Sequence, residues 1–264
     1  MGVLRRKSPL EKEYEKARKA EEKLVLKKSS QKESVVNRLV GERIPPKLQE
    51  TLEKAFAKAF TLLFTKGTGV IERTYNRDKL RKDYLAREAA HDIKKDRKSI
   101  KAFTRSSKNT GRKNLFLSGT FGIGTGLVGV GLPDIPVFSS MLLKQIYQTA
   151  TEYGFPYKGE KENYFILKLI EGAFSQGDRF MEINEEVNLF MEKEELPEDY
   201  NFEEEIGKAS SCLSGELLYS KFVQGIPLVG AAGGAYDALY MKRAADYSLL
   251  KYRQRFLRKK LEGR

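Results

Sequence analysis

The chain has 264 residues and a net charge of +13, with 40% hydrophobic and 32% charged side chains. That length suits one domain of about 150–250 residues with tails, or two small ones, and 15 Phe with 13 Tyr supply a core that excludes collagen-like, mucin-like and wholly disordered classes. One Cys and one His exclude a disulfide framework and a zinc site built from several thiolates and imidazoles.

The charge divides in three. Residues 1–113 carry 32 basic and 15 acidic side chains, residues 114–241 carry 8 and 19, and residues 242–264 carry 9 and 2. Two basic arms therefore flank an acidic middle, a pattern suited to polyanionic surfaces and to attraction between the parts themselves. No apolar stretch of signal-peptide length follows Arg5, Arg6 and Lys7, Gly2 lacks a myristoylation context, and a free Cys212 suits a reducing compartment. The expectation is a cytoplasmic protein.

In chain order, residues 1–44 are rich in Lys, Glu, Arg and Ser. Pairs such as Glu15 and Lys19 support an exposed helix, but little here can be buried, so the segment reads as a basic extension, partly disordered or an exposed helix. Pro45-Pro46 opens the domain expected over 45–264. Leu48, Leu52, Phe56, Phe60 and Phe64 recur every four residues, an amphipathic helix that Gly67 and Gly69 should end. Residues 71–110 are polar and basic with mostly helical spacing of Ile71, Tyr75, Leu80, Tyr84, Leu85, Ile93, Ile100 and Phe103. His91, without a partner Cys or His, reads as a solvated or helix-packed imidazole.

From Asn114 to Pro133 there are 20 residues without a charge, six of them glycines within 119–131. Asp134-Ile-Pro136 follows and suits a helix cap, before a helical pattern over Val137–Tyr153, a turn at Gly154-Phe155-Pro156 and a helix over about 160–175. Residues 182–205 are acidic and broken by Pro197. The last third holds a second uncharged, glycine-rich stretch, Phe222–Tyr236, leading into a basic and aromatic helix through Tyr240, Tyr247, Tyr252 and Phe256. Period-2 alternation is almost absent. The fold class is all-α, a single multi-helix domain centred on two glycine-rich apolar helices.

Glycine costs about 1 kcal/mol per residue in a helix relative to alanine, so these stretches need a physical reason. Close helix contact is one: Ser118, Gly122 and Gly126 are spaced by four, as are Gly230, Gly234 and Ala238, giving flat strips that can pack together. Membrane insertion is another, since about 20 apolar residues span a bilayer, although Thr, Ser and Gly dilute this one and Pro227 interrupts the second. Phosphate binding is the weakest, because Gly124-Thr-Gly126-Leu-Val-Gly129 spells GxGxxG without a preceding strand or an acid about 20 residues on.

The run Gly119–Pro136, followed by Leu142-Leu-Lys-Gln-Ile-Tyr147 and Ala150-Thr-Glu-Tyr-Gly-Phe155, resembles the EcsC family of bacterial proteins. Ile226-Pro-Leu-Val-Gly-Ala-Ala-Gly-Gly-Ala-Tyr236, its continuation to Tyr240, and Lys251–Leu257 resemble that family's C-terminal signature. The resemblance covers roughly residues 45–260. Matching motif positions are Gly126, Gly129, Gly131, Asp134, Pro136, Tyr153, Gly154, Pro227, Gly230, Gly233 and Gly234, to which the strip position Gly122 is added. The family takes its name from the third member of an operon encoding an ABC transporter, which implies a setting but no catalytic residues.

Three functions stand as alternatives. The first is a non-enzymatic accessory protein peripheral to the inner face of the cytoplasmic membrane, with an anionic membrane surface or transporter subunits as partners. Its membrane- or partner-facing residues would be Lys251, Arg253, Arg255, Arg258 and Lys259. The second is a hydrolase using carboxylates among Asp134, Asp178, Glu216 and Asp237; no GxSxG serine is present. The third is nucleic-acid binding by the basic arms, disfavoured by the acidic middle and the missing recognition signature. No small-molecule substrate, cofactor or metal is implied.

Overall fold

Proline in a first helical turn presets φ and gives up only a donor with no intrahelical partner. Pro9, Pro46 and Pro136 each stand in the opening turn of a helix. The computed structural model describes residues 7–29, 45–125, 134–223 and 233–263. Among these residues every regular element is helical: α1 (Pro9–Ser29), α2 (Pro46–Leu62), a π-helical turn (Leu63–Gly67), α3 (Thr68–Glu72), α4 (Arg77–Lys94), α5 (Arg97–Thr125), α6 (Ile135–Glu152), α7 (Glu160–Phe174), α8 (Gly177–Lys193), α9 (Phe202–Val223) and α10 (Gly233–Glu262). One buried cluster takes residues from α1 through α10, so the chain is a single all-α domain.

The apolar spacing places the core as expected in α2, where Leu52, Phe56 and Phe60 are buried. Gly67 and Gly69, however, do not end that helix. The chain widens into the π turn and continues as α3. A Cβ at Gly67 would sit 2.8 Å from the Leu63 side chain, so this glycine permits a close approach within the wider turn instead of stopping the helix.

α7 is buried from Tyr164 to Phe174, a core helix apolar nearly all round. Beside it α10 runs through the middle of the domain, packed against α5, α6, α7 and α1. Its aromatics form the spine: Phe103 meets Phe256 at 4.6 Å, Tyr153 meets Phe256 at 5.6 Å, and Tyr252 lies between Phe155 and Phe165 at 5.7 and 5.2 Å. Such tilted and edge-on ring contacts add to the large area each ring buries.

α1 departs from the expectation that little in it can be buried. Ala17 is fully buried in the core cluster and Glu13 is buried beside it. Lys28 reaches the C-terminal end of α7, where its Nζ donates to the carbonyls of Gly172, Ala173 and Ser175 at 2.7, 2.9 and 2.8 Å. An amine there satisfies carbonyls that lack intrahelical donors, while burial brings its pKa down to about 7.

Candidate functional site: the glycine-rich end of the bundle

α5 and α6 run antiparallel. Tyr153 Oη donates to Thr104 Oγ1 at 3.3 Å, Thr110 Oγ1 donates to Glu152 Oε1 at 2.5 Å, and Asn114 Nδ2 donates to Gln145 Oε1 at 2.6 Å. α9 runs parallel to α7, with Glu205 at Lys168 and Glu216 at Gln176, whereas α10 runs antiparallel to it, with Tyr240 at Phe174 and Tyr252 at Phe165, so α9 and α10 point in opposite directions. α5 opposes α10 in the same sense, since Phe103 meets Phe256 and Lys260 lies near His91, which is bonded to Ser99. The C-terminal ends of α5 and α9 and the N-terminal ends of α6 and α10 therefore gather at one end of the bundle. Both uncharged connecting segments are anchored there.

Of the described motif positions, Gly122, Asp134, Pro136, Gly233 and Gly234 lie toward this end, and Tyr153 and Gly154 lie at the opposite end of α6. Asp134 caps α6, its Oδ1 accepting from the Val137 amide at 3.2 Å, with Pro136 in the first turn. Tyr153 is buried at the other end of α6, where burial pushes its phenol well above the usual range. Gly154 follows at φ +79, and a Cβ there would overlap the Tyr84 ring. A side chain would thus be excluded twice, by the left-handed backbone and by the ring. Gly122 lies within α5, and Gly233 and Gly234 open α10. Gly126, Gly129, Gly131, Pro227 and Gly230 lie outside the described residues, which removes one member from each strip. Of the two segments expected as adjacent helices, residues 114–125 belong to α5 and 233–240 to α10, while 222 and 223 close α9.

The C-terminal cations expected to face a membrane or a partner are paired with carboxylates of the chain itself. Lys251 is 0% exposed and its Nζ lies 2.5 Å from Glu21 Oε1 and 2.8 Å from Asn188 Oδ1. Arg253 pairs with Glu13 at 2.7 Å. Arg255 is buried between Glu162 at 2.8 Å and Glu194 at 3.0 Å, with its guanidinium 4.3 Å from the Phe155 ring centre. Arg258 meets Glu192 at 3.3 Å and Glu262 at 2.7 Å, and Lys259 meets Glu194 at 2.9 Å. For Lys251 and Arg255 the physical reason is desolvation, since cations beside Tyr252 and Phe256 on a central helix can be buried only when paired. Burial works to raise the Glu21 carboxyl, yet Lys251, Asn188 and Gln254 together hold it down to about 2.

The carboxylates proposed for hydrolysis are dispersed. Asp134 is the exposed cap, Asp178 is exposed in the first turn of α8, and Glu216 is tied to Arg243 and to Gln176 at 3.2 Å. Asp237 lies in α10, with its side chain outside the described residues. His91 is buried, its Nδ1 2.9 Å from Ser99 Oγ, and burial lowers its pKa. A different cluster surrounds buried Lys168, whose Nζ lies 3.0 Å from Glu171, 2.6 Å from Glu186 and 2.9 Å from Glu205. Despite the cost of burial, these carboxylates raise the Lys168 pKa above the ordinary lysine range. The cluster borders a cleft of about 510 Å³, which Glu195, Glu198 and Asp199 also line. Among the described residues no group of His, Cys, Asp and Glu is placed to hold a metal ion, and no helix is long and apolar enough to cross a membrane.

α5 carries an exposed basic face. Lys98, Lys101, Arg105, Lys108, Arg112 and Lys113 are exposed. The sequence signal is direct: α5 contains no acidic residue over its 29 positions.

A family model, the EcsC protein family, matches residues 10–257. The match starts within α1, earlier than the 45–260 extent of the motif resemblance. No curated protein and no solved structure matches the chain.

Proposed function

The chain belongs to the EcsC protein family, and on that footing we propose that it is a non-enzymatic accessory protein at the cytoplasmic face of the membrane, working beside an ABC transporter or another envelope process. One observation carries this reading. Two segments without charge, each joining an antiparallel helix pair, are anchored at the same end of a bundle whose other surfaces are dense in charge. Uncharged sequence tethered at one end of a charged bundle favours contact with an apolar environment, where interfacial insertion is stabilised by burial of apolar area and by anionic headgroups.

The pairing of the acidic middle with the basic C-terminal helix supports the same reading, because it confines unpaired positive charge to other faces. The test is capture of the tagged chain from mildly solubilised membranes. Enrichment of ABC-transporter subunits, or of another envelope complex, over a detergent control is expected. Recovery with soluble complexes alone contradicts the reading.

The carboxylate-lined cleft beside Lys168 favours a second reading, a carboxylate-dependent hydrolase. Glu186 and Glu205 are held by Lys168, so Glu195, Glu198 and Asp199 are the groups that such chemistry would use. Turnover of ester or glycoside substrates that is lost in Glu198→Gln or Asp199→Asn would establish it.

A further inference from the structure

We propose that the outer face of α5 is the surface that binds anionic phospholipid headgroups, with the helix lying along the bilayer and its uncharged end continuing the contact. The proposal rests on the membrane reading above and assigns it a surface. It replaces the C-terminal helix, whose cations are engaged internally.

The geometry is specific. At 100° per residue, Lys98, Lys101, Arg105, Lys108 and Arg112 fall within about 80° of the α5 circumference, with Lys113 at the margin. From 98 to 113 the stripe is about 22 Å long at 1.5 Å per residue. All six residues are exposed, and among the described residues none of them takes part in an ion pair, a side-chain hydrogen bond or a ring contact. Arg97, immediately before the stripe, is different because it is bound to Glu13. The opposite face of α5 is committed to the core through Ile100, Phe103 and Ser107. α5 is thus amphipathic in an unusual sense: one face is core, the other is single-sign charge.

The continuation of the helix beyond the stripe decides the occupant. Residue 113 is succeeded by Asn114–Thr125, a stretch of α5 without charge. A bilayer surface offers anionic headgroups beside apolar acyl chains, matching a basic stripe that passes into an uncharged one. A nucleic-acid strand offers phosphates along its whole length and bases that stack on exposed aromatic rings. Here Phe103, the aromatic residue within the stripe's span, is buried. Charge and apolarity together favour the membrane.

The experiment is flotation of the full chain with vesicles of phosphatidylcholine alone or with about 30% phosphatidylglycerol, at low and high salt. The stripe variant is Lys101→Gln/Arg105→Gln/Lys108→Gln. The control, with the same loss of net charge, is Lys47→Gln/Lys58→Gln/Lys161→Gln, whose lysines are exposed and lie on α2 and α7. Both are surface changes, and matched melting curves establish that each folds. Wild type is expected to float with anionic vesicles and to be released by salt. At about fivefold in partitioning per cation at the surface, the stripe variant should lose on the order of a hundredfold, and the control about threefold or less. Equal losses in both variants overturn the stripe while leaving the membrane reading intact. Wild type that ignores anionic vesicles overturns that reading, and the stripe with it. Tight binding of a single-stranded RNA probe without vesicle binding assigns the same face to nucleic acid and overturns the proposal.

Discussion

The pair between Lys251 and Glu21 is the most informative place to perturb the fold. It ties α10 to α1 across more than two hundred residues of sequence. Lys251→Met keeps the length of the side chain and removes its ammonium. Glu21 then keeps Asn184 and Asn188 at 2.8 Å and Gln254 at 2.6 Å, but loses its cation in a site with little solvent. In the intact protein the carboxyl is held at about 2, against 4.5 for an ordinary glutamate. Burial also pulls the Lys251 ammonium down to about 8, which offsets the gain at Glu21, so the cost of Lys251→Met comes from the carboxylate left unpaired, typically about 3–5 kcal/mol when a buried pair is broken from one side.

The expected cost of Lys251→Met at pH 7 is therefore about 3 kcal/mol by urea unfolding, together with faster hydrogen exchange in α1. Adding Glu21→Gln should recover much of the loss, since no buried charge then lacks a partner. The pH dependence has a fixed sign. A carboxyl with a depressed folded pKa contributes stability that is fully present above about 4.5 and is lost as pH falls toward about 2. The stability difference between wild type and Glu21→Gln should shrink over that window. A cost below about 1 kcal/mol for Lys251→Met, or a difference that is flat from about pH 5 to about pH 2.5, refutes the reasoning.

Three further expectations concern single residues. Gly154→Ala forces a Cβ onto the Tyr84 ring at φ +79 and should destabilise by about 2 kcal/mol or more, read as a lowered melting temperature. Gly172→Ala gains about 1 kcal/mol of helix propensity in α7. Its Cβ would lie 2.6 Å from the Tyr247 ring, however, so a net loss of about 1 kcal/mol is expected, and a gain would show that the ring yields freely. Asp134→Ala removes the α6 cap and should cost about 1 kcal/mol, whereas Asp134→Asn, which can still accept from the Val137 amide, should cost a few tenths.

Local chemistry is legible in the sequence wherever a residue acts on its neighbours. Asp134 before Pro136 does cap a helix, Gly154 does make the turn, and Pro197 does lie in the break between α8 and α9. The four-residue spacing of Leu52, Phe56 and Phe60 marks a true core face. The illegible part depends on partners distant in sequence. Lys251 and Arg255 read as surface cations because composition does not reveal that Glu21 and Glu162 wait opposite them. A hint is present, since Lys251 and Arg255 are four apart and share a face of α10 with buried Ser248, Tyr252 and Phe256. α1 reads as exposed for the same reason: beside Ala17 and the partly buried Leu10, Tyr14, Leu24 and Val25, it buries charge in pairs. The glycine at position 67 reads as a stop because a π turn leaves no separate mark in composition. The unpaired stripe on α5 is readable in principle, as a run from Arg97 to Thr125 without an acid.

The proposed function requires that this protein be held peripherally at a membrane by charge and by its uncharged end. Fractionation of native cells at low salt, with the membrane pellet then washed at about 1 M salt, where the Debye length falls to about 3 Å, tests it most directly. The account predicts that the chain sediments with membranes at low salt and is largely released by the salt wash. Recovery of the chain in the soluble fraction at low salt would contradict it.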